Sequence, residues 1–267
     1  MTTDLPLTRR LESLTQTARQ RESAKVYQFP LWGDPQRGIP NDFARSALFA
    51  ARKGTGKDYL RGESIFSQAG VSISYSGPRL TQDHLDVFEG IMHLAREVPE
   101  GNVVCFTARR LLKLIGRRAS GRDYERLLRT LTDLTATALT VKRDGGDVYW
   151  GSLLPEGAAK PSEGYYRVMI NRHLIRLFER GFTVIEWQQR RALARKPLAQ
   201  ALHVWLCSHD KPYPVTVQYL HDITGSSTKE LYKFRQNLKA ALDELKAVNV
   251  LADWRLDERD KVHFVKA

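Results

Sequence analysis

Thr107-Ala-Arg-Arg-Leu111-Leu-Lys-Leu-Ile115-Gly116 returns 109 residues later as Thr216-Val-Gln-Tyr-Leu220-His-Asp-Ile223-Thr-Gly225. Thr, Leu and Gly all keep that one offset. After each Gly comes a polar turn, then a long amphipathic stretch, then two strand-like runs around a second polar turn. Helix, turn, longer helix and hairpin is the order of a winged helix, a helix-turn-helix whose second helix enters the major groove of DNA. The expected fold class is therefore α+β: two tandem winged-helix (helix-turn-helix plus β-hairpin) domains, preceded by a flexible N-terminal arm. A doubled unit of this kind implies a grip on DNA at two places.

Composition points the same way. Among 267 residues, 42 Lys and Arg stand against 30 Asp and Glu, a net charge of +12. Such a balance suits a polyanion, nucleic acid first and an anionic membrane surface second. The length gives about two domains, each with its own core. No apolar run approaches the roughly 20 residues that span a bilayer, and the first ten residues lack the apolar centre of a signal peptide. Cys105 and Cys207 lie in apolar stretches and read as buried thiols of a reducing cytosol, so a cytoplasmic protein is expected.

Along the chain, residues 1–35 form the arm: a charge-mixed stretch to about residue 25, then a Pro- and aromatic-rich segment. The first domain is expected over 36–160. It holds a pair of strands at 64–66 and 71–75, then a helix from Thr81 with Leu85, Phe88, Ile91, Met92 and Ala95 on one face. A strand at 103–106, helices at 107–115 and 120–136, and a hairpin around Gly145-Gly146 complete it. Residues 155–164 carry four Pro and Gly and mark the boundary. The second domain, 161–267, repeats the pattern, with helices at 197–207, 216–224 and 227–247 and strands at 250–254 and 262–265.

The two long helices carry the chemistry. In the first, Tyr124, Leu127, Leu128 and Leu131 form the apolar stripe, while Arg122, Arg126 and Arg129 lie opposite at i, i+4 and i+7. In the second, Leu231, Phe234, Leu238, Leu242 and Leu245 form the stripe. Lys229, Lys233 and Gln236 lie opposite at the same spacing, with Asn237 beside them. Like charges at i, i+4 oppose a helix unless an anion neutralises them. Arg matches guanine or phosphate, Gln matches adenine, and Lys gives a point charge to phosphate. Arg117 and Arg118 precede the first helix, and Ser226, Ser227 and Thr228 open the second, where hydroxyl and backbone N–H groups suit phosphate. Lys142 and Arg143 sit on the first wing; Arg255, Arg259 and Lys261 sit on the second. Arg190, Arg191, Arg195 and Lys196 form a further basic knot that either tracks the backbone or is a solvated surface.

Signatures of catalysis are missing. Lys53-Gly-Thr-Gly-Lys57 has Asp58 and Ala51 where a phosphate loop needs a hydroxyl residue and a Gly. The seven His residues show neither HExxH nor paired Cys/His spacing, and Asp83 and Asp86 complement a helix dipole. A non-enzymatic protein without metal or cofactor is expected.

Ile39-Pro-Asn-Asp-Phe-Ala-Arg-Ser-Ala-Leu-Phe49, Ile73-Ser-Tyr-Ser-Gly-Pro-Arg-Leu-Thr-Gln-Asp-His-Leu-Asp-Val-Phe88 and the two helix-turn-helix units resemble the TrfA-type plasmid replication initiators over residues 27–267. The resemblance implies binding to direct repeats (iterons) at a plasmid origin and opening of adjacent AT-rich DNA, with contact to the single strands exposed there. It also implies recruitment of the host initiator, helicase and polymerase, and exchange between dimer and monomer. Gln28-Phe29-Pro30-Leu31-Trp32 is similar to the family's sliding-clamp peptide, which would place Gln28, Leu31 and Trp32 in the clamp groove; the bland reading folds Leu31 and Trp32 back on the first domain. The competing functions are a repressor of the same fold, dimeric on an operator, and a DNA-rearranging enzyme such as a relaxase. A relaxase would need a His-rich metal cluster that the sequence lacks.

Overall fold

The computed structural model describes residue 30 and residues 32–52, 58–98, 103–146 and 148–267. The first half is arranged around one helix, α2 (Gln82–Ala95), which follows strands β1 (Gln36–Pro40), β2 (Tyr59–Ile65) and β3 (Val71–Pro78) and the short helix α1 (Asn41–Ala44). Leu85, Phe88, Ile91 and Met92 of α2 are all buried, and so are His84, Glu89 and His93 on its other sides. A helix buried all round serves as the centre of a core.

Next come β4 (Val103–Thr107), α3 (Ala108–Leu114), α4 (Gly121–Thr135), β5 (Ala138–Arg143), β6 (Val148–Gly151), β7 (Glu156–Lys160), a 3-10 turn at Pro161–Glu163, and β8 (Tyr165–Met169). Helix α5 (Arg172–Glu179), β9 (Phe182–Glu186) and α6 (Trp187–Ala192) close the first unit. The second unit comprises α7 (Pro197–Cys207), β10 (Val215–Thr216), α8 (Val217–Ile223), α9 (Leu231–Ala247), β11 (Leu251–Leu256) and β12 (Lys261–Lys266). All pairings between these strands are antiparallel: β1 with β9, then sheets in the orders β2-β3-β5-β6, β4-β8-β7 and β10-β12-β11.

The repeated decapeptide folds the same way in both places. Thr107 Oγ1 caps α3 by accepting from the Arg110 N–H, and Thr216 Oγ1 caps α8 by accepting from the Tyr219 N–H. Leu111 and Leu220 are fully buried. Gly116 and Gly225 end their helices at φ +75° and +59°, the left-handed region that glycine enters without steric cost. In both turns the two closing hydrogen bonds of a Schellman motif form: Gly116 N–H to Lys113 O (3.1 Å) with Arg117 N–H to Leu112 O (2.8 Å), and Gly225 N–H to Asp222 O (3.1 Å) with Ser226 N–H to His221 O (3.2 Å).

Four expectations change. The boundary placed at residue 160 falls inside a hairpin, because β8 pairs with β4 and β9 returns to β1. The first core runs on through Ile185 and Trp187, and the second begins at Leu193. The Pro- and Gly-rich run 155–164 is thus a strand and its turn rather than a linker, and the units meet at α6. The hairpin β5–β6, expected as the first wing, instead joins β3 in a four-stranded sheet. The strands equivalent to β11 and β12 are β7 and β8, since β8 lies against β4 as β12 lies against β10. Finally, the arm does not extend to residue 35: Trp32 is buried, stacks on Phe178 (5.9 Å), and donates its indole N–H to His93 Nδ1 (3.1 Å). Cys105, expected to be buried, is exposed on β4.

Candidate nucleic-acid interface

Helix α4 begins where its sequence says it should. Ser120 caps it, accepting from the Asp123 N–H, and the Asp123 carboxylate accepts from the Ser120 N–H (3.2 Å). The Ser120 hydroxyl also donates to that carboxylate (2.5 Å), and this bond, first among the causes, holds the Asp123 carboxyl below the usual range. Leu127, Thr130, Leu131 and Leu134 face the core. Leu128, expected in the apolar stripe, is exposed. The opposite face carries Arg122, Arg126 and Arg129, all open to solvent, with Glu125 among them.

These arginines are not equivalent. Asp83, on α2, takes Arg126 and also Arg117 (2.6 Å), and Arg117 lies 3.6 Å from Asp86. The Arg117 side chain is only 18% exposed, against 46% for Arg126. Arg117 therefore belongs to the packing between α2 and the turn, which corrects its expected role as a free phosphate contact. Asp83 supplies the anion that lets three like charges share a face. Among the described residues, Arg118, Arg122 and Arg129 make no hydrogen bond or ion pair, so their guanidinium donors are available.

Helix α9 starts at Leu231, four residues later than expected, with Glu230 at its N-cap and no side-chain capping bond. Ser226, Ser227 and Thr228 therefore lie in the turn, not in the first helical turn: Ser226 Oγ accepts from the Thr228 N–H (3.3 Å), and the Thr228 carbonyl bonds His221 Nε2 (2.9 Å). Lys229 also precedes the helix, so the i, i+4 relation to Lys233 does not hold. The exposed face of α9 is Tyr232, Lys233, Gln236, Asn237 and Lys239. Lys233 lies 3.5 Å from Glu230 and over the Tyr232 ring (5.6 Å). The Gln236 and Asn237 amides have no partner among the described residues. Phe234, Leu238, Leu242 and Leu245 pack on Leu202, Trp205 and Leu206 of α7.

The second hairpin is fastened to α9 by Arg235, whose Nε and Nη2 each donate to Asp260 at 2.8 Å; that bond raises the Arg235 pKa. Asp257 shapes the turn by accepting from the Arg259 and Lys261 N–H groups (3.0 and 2.9 Å) and bonding His263 Nε2 (2.8 Å). The His263 bond first, and the Lys261 bond second, hold its carboxyl down to about 2. Arg255, Arg259 and Lys261 project from this hairpin into solvent.

In the first unit the expected wing residues sit elsewhere. Arg143 grips the buried Asp42 with three bonds (3.1, 3.2 and 2.6 Å), and Lys142 lies on the outer face of the β2-β3-β5-β6 sheet. The hairpin β7–β8, which matches β11–β12 of the second unit, carries Lys160, Tyr165 and Arg167 on its exposed side instead. Alternation of exposed Tyr165 and Arg167 with buried Tyr166 and Val168 was the available signal. The basic knot also divides. Arg190 is buried between the units, Lys196 pairs with Glu244 (3.3 Å), and Arg191 and Arg195 are exposed. Gln28 and Leu31 lie outside the described residues. Trp32, their expected companion in a clamp peptide, is held in the core and is not displayed.

Among the described residues, no group of three or more His, Cys, Asp or Glu is placed to hold a metal ion. No helix among them is long and apolar enough to cross a membrane.

The sequence profile of the family described as TrfA protein matches residues 9–266. The plasmid replication initiator protein TrfA of Escherichia coli is 29% identical over 245 residues, which is 87% of this chain; the chain spans 63% of that relative's length. Domains 2 and 3 of RctB superpose with a TM-score of 0.54 at 14% identity, over 77% of this chain and 85% of that one. The Pi initiator protein, solved in complex with iteron DNA, gives a TM-score of 0.50 at 14% identity, over 68% of this chain and 91% of that one. At such identity these two likenesses concern the mixed α/β fold alone.

Proposed function

The chain belongs to the TrfA family, and from that premise we propose that it is a plasmid replication initiator gripping duplex origin DNA with two winged-helix units. The observation that carries this is the pair of matched turns, each leading into a helix whose outer face holds unpartnered donors: Arg122 and Arg129 on α4, Gln236 and Asn237 beside Lys233 on α9. The second unit reads bases. Gln236 and Asn237 offer an amide donor and acceptor together, the pairing that adenine N6 and N7 require. The first unit clamps phosphates, because Arg122 and Arg129 present charge with little variety. Hairpins β7–β8 and β11–β12 serve as wings, with Lys160, Arg167, Arg255 and Lys261 toward the backbone.

The target class is tandem direct repeats beside AT-rich DNA, which the bound protein opens before host initiator, helicase and clamp arrive. Gln28 and Leu31 remain the candidate clamp residues. The protein does this without catalysis, as a binding and remodelling factor. Footprinting of the purified chain on its plasmid origin tests the reading. Protection of several direct repeats, with permanganate reactivity appearing in adjacent thymines of supercoiled DNA, is expected. Protection of one inverted repeat alone would make it a repressor, and nicking of the plasmid would make it an enzyme.

A further inference from the structure

Among the described residues, the most deeply buried Arg or Lys side chain lies between the two units. Arg190, on α6, is 1% exposed. Its Nε donates to Asp86 Oδ1 (2.8 Å) and lies 3.5 Å from Glu89 Oε2. Nη2 donates to the Gln82 carbonyl (3.3 Å) and to Gln82 Oε1 (3.1 Å), and Nη1 donates to the Gln200 carbonyl (3.2 Å). Gln82, Asp86 and Glu89 stand at i, i+4 and i+7 on α2 of the first unit, whereas Gln200 is on α7 of the second. A single planar, rigid fork therefore joins the central helix of one unit to the first helix of the other.

The same network continues outward. Asp86 lies 3.6 Å from Arg117, Arg117 bonds Asp83, and Asp83 bonds Arg126 on the exposed face of α4. Alternating charges thus run from the outer face of α4 to the base of the second unit. Around this ladder the junction is close-fitting. Arg45 Nε donates to Ser208 Oγ (3.2 Å), and the Ala51 N–H to the Thr224 carbonyl (2.7 Å). Gly225 touches the first unit so closely that a Cβ there would lie 3.1 Å from Ala50 Cβ.

We propose that Arg190 is a positioning residue that fixes α4 relative to α9, so that the chain engages its DNA at one spacing between the two contacted segments. This rests on the duplex-binding reading above. Without the guanidinium, Asp86 loses its hydrogen-bonded counter-charge inside the seam, water enters to solvate it, and the two units sample a range of orientations. A pre-organised pair binds the matched spacing tightly and rejects others, whereas a loosened pair loses peak affinity and tolerates mismatch.

The test uses the full chain and duplexes carrying its footprinted repeat, with 0, 1, 2, 3 or 5 base pairs inserted between the segments protected by the two units. Wild-type protein is expected to lose at least about tenfold in affinity at 5 base pairs, roughly half a helical turn. Arg190→Met should bind the uninterrupted repeat about tenfold more weakly and show an insertion penalty below about threefold; Arg190→Lys should fall between. Gln82→Leu leaves every buried charge paired and removes only the amide's bonds to Arg190 and to the Phe49 carbonyl, so it is the milder variant and should shift both quantities in the same direction by a smaller factor. A folded Arg190→Met, or failing that Gln82→Leu, that keeps the wild-type insertion profile overturns the proposal. Wild-type binding that prefers the cognate repeat yet ignores insertions overturns it too. No preference for cognate over scrambled duplex is a different failure, which removes the DNA reading and this inference with it.

Discussion

Replacing Arg143 separates a structural role from a DNA-contacting one. Its guanidinium makes three hydrogen bonds to Asp42, whose side chain is 3% exposed while that of Arg143 is 24% exposed. Arg143→Ala leaves a carboxylate buried with no partner of equal geometry. Breaking a buried pair from one side costs about 3–5 kcal/mol, because the remaining charge stays desolvated. The arginine side is a quarter open, so water reaches part of the vacated space, and a loss of roughly 2–4 kcal/mol is expected. For a chain of this size each kcal/mol moves Tm by about 2–4 °C, so the midpoint should fall by roughly 4–16 °C. Asp42→Asn combined with Arg143→Ala should recover part of the loss, since the orphaned charge is gone. Urea and thermal melts give the stability, and anisotropy titrations from low to high salt give the DNA slope. A stable Arg143→Ala protein whose log K against log salt slope drops by about 0.9 would mean that Arg143 neutralises a phosphate, and the structural assignment would be refuted.

The free arginines should behave in the opposite way: Arg122→Ala and Arg129→Ala each lower the salt slope by about 0.9 with stability within about 0.5 kcal/mol of wild type, whereas unchanged slopes would remove α4 from the interface. Gln236→Ala should cost about 1–3 kcal/mol of discrimination between cognate and scrambled duplex, and equal ratios would remove base reading from that residue. Stability should peak near pH 6.5. Burial, ahead of nearby arginines, depresses His93 to about 4 and His203 to about 3, so the unfolded chain binds more protons below about 6.5 and stability declines as pH falls. Burial raises Glu89 to about 8, so the folded state keeps a proton that the unfolded chain releases, and stability declines as pH rises toward 8. Urea midpoints across pH 5–8.5 check this, and Glu89→Gln should flatten the alkaline limb; a limb unaltered in that variant would exclude Glu89 as its source.

What the sequence showed most clearly was local. Thr107 and Thr216 cap, Gly116 and Gly225 reverse the chain, and helix α4 lies within one residue of its expected bounds at both ends. Each of these depends on a few neighbouring residues and on backbone preferences that sequence expresses directly. The misreadings arose where a distant partner decides. Gly145-Gly146 marks a tight turn, but nothing in it says whether its strands join β4 or β3. Pro155 to Gly164 punctuates the chain, but the same residues serve a linker or a hairpin. Arg190 and Arg191 are neighbours of one type, and only the carboxylates of α2, about a hundred residues away, make one a core residue and leave the other in solvent. Asp83 and Asp86 suited the dipole of α2, as expected, yet their larger part is to hold Arg117, Arg126 and Arg190.

The pairing of β1 with β9 joins Gln36 to Glu186, with the first core's helices and sheets encoded between them. At a synthesis rate of about 5–20 residues per second, β1 waits on the order of 8–30 s after emerging before its partner leaves the ribosome. Until then Ile39 and the adjoining Phe43 have no lid, and their hydrogen-bonding edge is open to any other strand. The nascent chain must therefore be sheltered during that interval, because the first unit cannot close its β1 edge until β9 has been made.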